Sequence, residues 1–213
     1  MTLAQDYPLI VLGAGGHARV LADTLRQCNR NVLGVTDIDP DKNKILYGFE
    51  VLGNDEYILG KENDQIRLIN GIGAIPYHEH RWNLEQKFKI LGYIFESVIS
   101  LHANISSQAM VSSGVQIMAG AVVQAGVELE SGVVVNTGSL IDHDCILQSD
   151  SWISPGVTIC GDVIIESRAY IGAGSTILQG VSIGAGAIVG AGSIITKSIS
   201  SGERIVQRSK NIG

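Results

Sequence analysis

The chain predicts a small Rossmann-like α/β domain of parallel strands followed by a left-handed parallel β-helix, on three observations. Every sixth residue from Ile99 to Ile195 is aliphatic. A small residue stands two places before these positions, and from Gly114 onward Gly or Asp stands three places before them, Arg168 being the one departure. Ahead of residue 98 the texture changes to short apolar runs alternating with helical spacing, the first of them ending in a glycine-rich turn. The domains expected are 1–97 and 98–213.

In the first domain, Pro8-Leu9-Ile10-Val11-Leu12 reads as a buried strand that runs into Gly13-Ala14-Gly15-Gly16-His17-Ala18. Val20, Leu21 and Leu25 give residues 18–27 helical spacing. A second strand spans 31–36 and ends at Asp37 and Asp39; a third spans 66–70 and ends at Gly71-Ile72-Gly73. Residues 80–89 read as a helix and 89–95 as a fourth strand. Strands alternating with helices imply a small parallel sheet.

Beyond residue 98, a period of six belongs to neither helix nor ordinary strand, but it is the period of the hexapeptide β-helix. The aliphatic side chain points inward, the small residue fits the corner, and Gly or Asp takes the backbone angles of the turn. Three hexapeptides close one coil of about 18 residues, so the repeat holds roughly five coils. Residues 18 apart then stack in one column at a strand spacing of about 4.8 Å. The uncharged stretch 169–196 is long enough to suggest a membrane span. Its glycines fall on the six-residue beat, however, and buried coils account for it.

The net charge of −6 and the lack of a Lys/Arg cluster give no support to a nucleic-acid partner. Residues 1–8 carry no signal-peptide pattern. Cys28, Cys145 and Cys160 have neither metal-ligand nor disulfide spacing, which fits reduced thiols in a cytoplasmic protein.

Gly13, Gly15 and Ala18 match the dinucleotide fingerprint, and Asp37 lies about as far on as a ribose-binding acid should. Glycines let a phosphate approach the backbone, and a helix N-terminus favours the anion. Fewer than 100 residues precede the repeat, which is room for one mononucleotide-binding half. A bound nucleotide sugar, a structural turn and a whole dinucleotide all stay open, the first suiting the space best. His17 reads equally as a neighbour of the helix cap, and Asp37 as part of a solvated acidic turn.

In Ile141-Asp142-His143-Asp144-Cys145, His143 follows an inward aliphatic residue by two and should face outward. Flanking carboxylates favour the imidazolium and raise the basicity of the ring, as a general base near neutral pH requires. The alternative is a surface histidine with solvated acids. A zinc site is disfavoured because the prism holds too few histidines. One coil above His143 stands Gly161, followed in the column by Gln179 and Lys197. The Gly161 N–H is placed to hold a thioester carbonyl or its developing negative charge.

The Gly-Ala-Gly-Gly-His-Ala turn, Asn136-Thr137-Gly138-Ser139 and the Asp-His-Asp-Cys motif, set before and within a hexapeptide prism, together resemble the NeuD/PglD-type bacterial sugar acetyltransferases. The resemblance implies an acetyl-CoA-dependent, metal-free homotrimer with active sites between neighbouring prisms. It implies N-acetylation of a UDP- or GDP-linked 4-amino-deoxy sugar for surface glycans, a sister branch being O-acetyltransferases of sialic acid. It places the base on His143 and the acid that strengthens it on Asp144. It assigns the nucleotide sugar to Gly15, Gly16, His17, Asp37 and Gly73, and acetyl-CoA to Trp152, Gly161, Ala173 and Ala191. Trp152 stands where relatives often carry histidine, and Ile205-Val206-Gln207-Arg208-Ser209-Lys210 replaces the usual Gly-x-Pro-Ala-Lys ending. The chemistry expected is direct transfer within a ternary complex, with no enzyme-bound acetyl and Cys145 buried. A rival of another class is a non-catalytic scaffold that binds nucleotide without releasing CoA.

Overall fold

The computed structural model describes residues 7–40, 45–76 and 78–205 and divides the chain into two compact units, Met1–Leu101 and His102–Gly213. The first six residues and the C-terminal segment beyond Ile205 lie outside the described residues.

The first unit is a five-stranded sheet with helices. Strand β1 (Leu9–Leu12) leads through the glycine turn into α1 (Gly16–Gln27), and β2 is Val32–Thr36. Next come β3 (Ile45–Leu46), β4 (Phe49–Gly53), the short α2 (Glu56–Leu59), β5 (Arg67–Asn70) and α3 (His80–Ile90). The sheet order is β3-β4-β2-β1-β5. β1 runs parallel to both β2 and β5, which places it centrally and explains why all four of its side chains are buried.

Two expectations change here. The sheet is mixed, because β3 and β4 form an antiparallel hairpin over Tyr47 and Gly48. Their φ angles of 48° and 86° suit a type I′ turn, which demands positive φ at both central residues. The fourth strand expected over 89–95 shrinks to one bridge, Leu68 to Phe95. α3 continues to Ile90, and Gly92 at φ 85° turns the chain immediately afterwards. Tyr93 is drawn inward by hydrogen bonds from its hydroxyl to the carbonyls of Ile58 and Lys61, and it meets Phe88 edge-on at 5.6 Å.

The second unit is a parallel β-solenoid of two-residue strands. As far as Ile194–Ile195 the strands pair 18 residues apart, as in Val122 to Leu140 and Leu140 to Thr158, and the last coil is two residues shorter, with Ile188 paired to Arg204 and Ile183 bridged to Ile199. Three ladders result: one runs from Asn104–Ile105 to Ile194–Ile195, a second from Met110–Val111 to Ser182–Ile183, and a third includes Gln116–Ile117 and Arg204–Ile205. The interior is a continuous aliphatic stack in which Ile117, Val135, Ile153, Ile171 and Val189 follow one another, all fully buried. Inward burial fails at the start of the series. Ile105 and Val111 open their ladders with a neighbour on one side only and are half-buried. Ile99 belongs to the first unit and is 39% exposed. The corners take left-handed angles whether occupied by Gly138, Asp144, Asp162 or even Arg168, at φ 59°.

Candidate active site

His143 stands on the edge where the first ladder turns into the second. It is held from both sides in sequence. The Asp142 Oδ1 accepts its backbone N–H at 2.8 Å, and its Nδ1 meets Asp144 Oδ2 at 2.9 Å. A carboxylate can only accept, so Nδ1 carries the proton and Nε2 is left as the basic atom. The hydrogen bond to Asp144, then the charge of Asp142 and, more weakly, of Asp162, raise the His143 pKa above its ordinary value. The side chains of His143 and Asp144 are 53% and 70% exposed, so the ring faces solvent.

Two glycines make room for this pair. Gly126 precedes Asp144 in its column, and a Cβ there would strike the Asp144 carboxylate. The imidazole lies over Gly161, where a Cβ would stand 2.6 Å from both Cε1 and Nε2. The Gly161 N–H has no protein acceptor among the described residues. A basic nitrogen and a bare N–H donor therefore share one spot on the edge. That is the pairing acyl transfer needs: a proton acceptor for the nucleophile and a donor for the carbonyl oxygen.

The other predicted positions are distributed. Ala173 and Ala191 are exposed, one coil apart, on the edge where the third ladder turns into the first, and there Ala173 O accepts the Gly192 N–H. Trp152 is buried on the third ladder, the face across the prism from the His143 edge. Asn136 and Ser139 are spent within the fold: the Asn136 amide donates to Ile153 O at 2.7 Å and the Ser139 hydroxyl to Ser154 O at 2.9 Å. Cys145 is buried and donates to the Cys160 carbonyl; burial pushes its thiol up to about 11, so it is no nucleophile at neutral pH.

In the first unit a cleft of about 760 Å³ opens at the C-terminal ends of β1 and β2. Gly13, Ala14, Gly15 and Asp37 line it, together with Arg19 on α1, Asp39, Asp55 and Glu56, and an apolar wall that includes Ile72 and Leu84. Gly15 caps α1 without a side-chain hydrogen bond, and a Cβ on Gly15 or Gly16 would meet nothing. The protein itself does not require glycine at these two places; an approaching ligand would. The Asp37 Oδ1 accepts the Asp39 N–H at 3.0 Å, which shapes the turn. Gly16, His17 and Gly73 do not line the cleft. His17 is half-buried, and its Cβ lies 3.5 Å from where a Gly73 side chain would begin. Sequence reading missed Arg19, Ile72, His80, Asp55 and Glu56. Only the helical spacing of Arg19 from the glycine turn offered a signal.

Residues 8–88 match the family described as the PglD N-terminal domain. Residues 162–197 match the hexapeptide repeat of succinyl-transferase, and 144–179 the bacterial transferase hexapeptide. Among solved structures, the acetyltransferase domain of PglB from Neisseria gonorrhoeae is 30% identical, with a TM-score of 0.85 over 94% of this chain and 96% of that one. The chain belongs to the PglD-type sugar acetyltransferases. A histidine-to-asparagine variant of perosamine N-acetyltransferase from Caulobacter crescentus, in complex with CoA and GDP-perosamine, is 29% identical at TM-score 0.86, over 97% of this chain and 96% of that one. WeeI from Acinetobacter baumannii is 25% identical at TM-score 0.82, over 94% and 97%. No curated protein matches. Among the described residues of this family member, no group of three His, Cys, Asp or Glu is arranged for a metal, and no helix is long and apolar enough to cross a membrane.

Proposed function

We propose that this protein is an acetyl-CoA-dependent acetyltransferase that N-acetylates the amino group of a nucleotide-linked amino sugar. One observation carries the reading: His143, paired through Nδ1 with Asp144, presents Nε2 directly over the Gly161 backbone on an open edge. The relatives with CoA and GDP-perosamine or acetyl-CoA bound support the choice of substrates.

Acetyl-CoA supplies the acetyl group as a thioester. His143 Nε2 takes a proton from the sugar amine as its nitrogen bonds to the acetyl carbon. Asp144 stabilises the imidazolium that forms, and the Gly161 N–H donates to the carbonyl oxygen. The C–S bond breaks, and the proton held by His143 is available to the departing sulfur. General-base assistance contributes about 10²–10⁴-fold, and the remainder comes from positioning. Asp37 and the Gly13–Gly15 turn bind the nucleotide, with Gly16, His17 and Gly73 shaping that turn.

Trp152, Ala173 and Ala191 lie on a face and an edge other than that of His143. Their part in CoA binding therefore rests on a second prism set against the His143 edge, in keeping with a homotrimer. The setting we propose is cytoplasmic biosynthesis of surface glycans.

The test is CoA release from acetyl-CoA against a panel of UDP- and GDP-linked 4-amino sugars, with sialic acid included. Turnover with a nucleotide amino sugar is expected. Turnover with sialic acid alone would make the enzyme an O-acetyltransferase, and nucleotide binding without any release would make it a scaffold.

A further inference from the structure

The wall of the nucleotide cleft is shaped by a buried polar network behind it. Asn70, the last residue of β5, is buried, and Glu85 on α3 is 2% exposed. Asn70 Nδ2 donates to Glu85 Oε2 at 2.9 Å and to the Arg81 carbonyl at 3.1 Å. Arg81 Nη1 donates to the carbonyls of Asn70, at 3.0 Å, and of Ile72, at 2.6 Å. The Ile72 N–H donates to Asn70 Oδ1 at 3.2 Å. Lys89 Nζ lies 2.8 Å from Glu85 Oε1 and balances the buried carboxylate.

Both backbone polar groups of Ile72 are thus gripped by Asn70 and Arg81. The Ile72 side chain in turn packs on Gly13, where a Cβ would stand 2.5 Å from Ile72 Cδ1. On the other side, Gly71 sits against β1 and α1: a Cβ there would lie 2.6 Å from the Leu12 carbonyl oxygen and 3.0 Å from Ala18 Cβ. A helix presents residues four apart on one face. On α3, His80 and Leu84 line the cleft while Arg81 and Glu85 meet Asn70 or the loop behind it. A buried polar network favours one geometry, because moving any member breaks hydrogen bonds that water cannot replace there.

We infer that the Asn70–Arg81–Glu85 network is a positioning device that holds the glycine turn at Gly13–Gly15 in its ligand-receiving shape through Ile72. Arg81 and Asn70 act through that turn and not on the reacting atoms. The identity of the ligand, a nucleoside diphosphate, rests on the function proposed above; the hold on the turn does not.

The experiment uses the full chain, UDP and GDP as probes, and amide hydrogen exchange without ligand. Asn70→Asp keeps the acceptor for the Ile72 N–H but removes the donor and sets two carboxylates together. Nucleotide affinity should fall about tenfold, and exchange should quicken at residues 13–16 and 72–73. The KM for acetyl-CoA, kcat and the protection of the prism should stay unchanged. Adding Glu85→Gln restores a donor and should recover most of the affinity. If Asn70→Asp loses cooperative melting, Arg81→Lys, which keeps the charge but not the fork, gives the same readouts at smaller size. Unchanged exchange at 13–16, quickened exchange with unchanged affinity, or no recovery by Glu85→Gln would each overturn the device. If neither UDP nor GDP binds the unaltered protein, the substrate reading fails and the exchange pattern alone decides for or against the network.

Discussion

Two edges of the same prism are built from the same hexapeptide and end up chemically opposite. On the edge carrying Ser149, Ser167 and Ala185, each backbone N–H is taken by a side chain 19 residues earlier. Glu130 Oε2 accepts from Ser149 at 2.9 Å, Gln148 Oε1 from Ser167 at 3.3 Å, and Glu166 Oε2 from Ala185 at 2.8 Å. On the His143 edge the residue 19 before Gly161 is Asp142. Its side chain is one methylene shorter, and its carboxylate is turned to the His143 N–H instead. The first edge satisfies itself, and the second keeps a donor beside a base. Backbone geometry therefore does not make the site; which side chain claims the corner N–H does.

The largest test of this contrast is His143→Ala. CoA release should fall by about 10²–10⁴-fold with the melting temperature unchanged, because the side chain is solvent-facing; near-normal turnover would remove the base from the mechanism. Next comes the glycine beneath it. Gly161→Ala drives a methyl into the imidazole, and kcat should drop roughly 10²-fold, whereas Ser167→Ala on the capped edge should leave kcat within a factor of about two, since neither the N–H nor the ring is touched there. Equal losses at both positions would erase the distinction between the edges.

Asp144→Asn removes the carboxylate that does most to raise the His143 pKa. A base works only when deprotonated, so activity rises with pH through that raised pKa. Without the Asp144 charge the acidic limb of kcat/KM should move to lower pH, with kcat reduced about tenfold. A limb that stays in place would show that Asp144 does not tune the ring. The smallest effect belongs to the capped edge. Glu166→Ala orphans the Ala185 N–H and should lower stability by about 1 kcal/mol, read by denaturant melting, with catalysis intact.

Much of the prism was legible because its rule is arithmetic. Ile141 and Ile159 share a column, so His143 and Gly161 must share one too, and the ring over the glycine follows from counting by 18. The cleft of the first unit was half legible. The glycine turn and Asp37 announce themselves by type and spacing, but Arg19, Ile72 and His80 reach the cleft from separate elements with no common period. The hairpin at Tyr47 and Gly48 was hidden because a non-glycine residue takes one of its positive φ angles. The strand expected over 89–95 was an apolar run whose order is set by Tyr93 reaching back to Ile58 and Lys61.

What the amino-acid order determined by itself was the solenoid, its register and the column that holds His143 and Gly161. As far as Ile195 each coil pairs with the coils 18 residues away, so local repetition propagates without information from elsewhere. What only the tertiary structure decided was the cleft and the network behind it. Those depend on side chains from distant elements meeting at hydrogen-bond distance, and no periodicity in the chain encodes such a meeting.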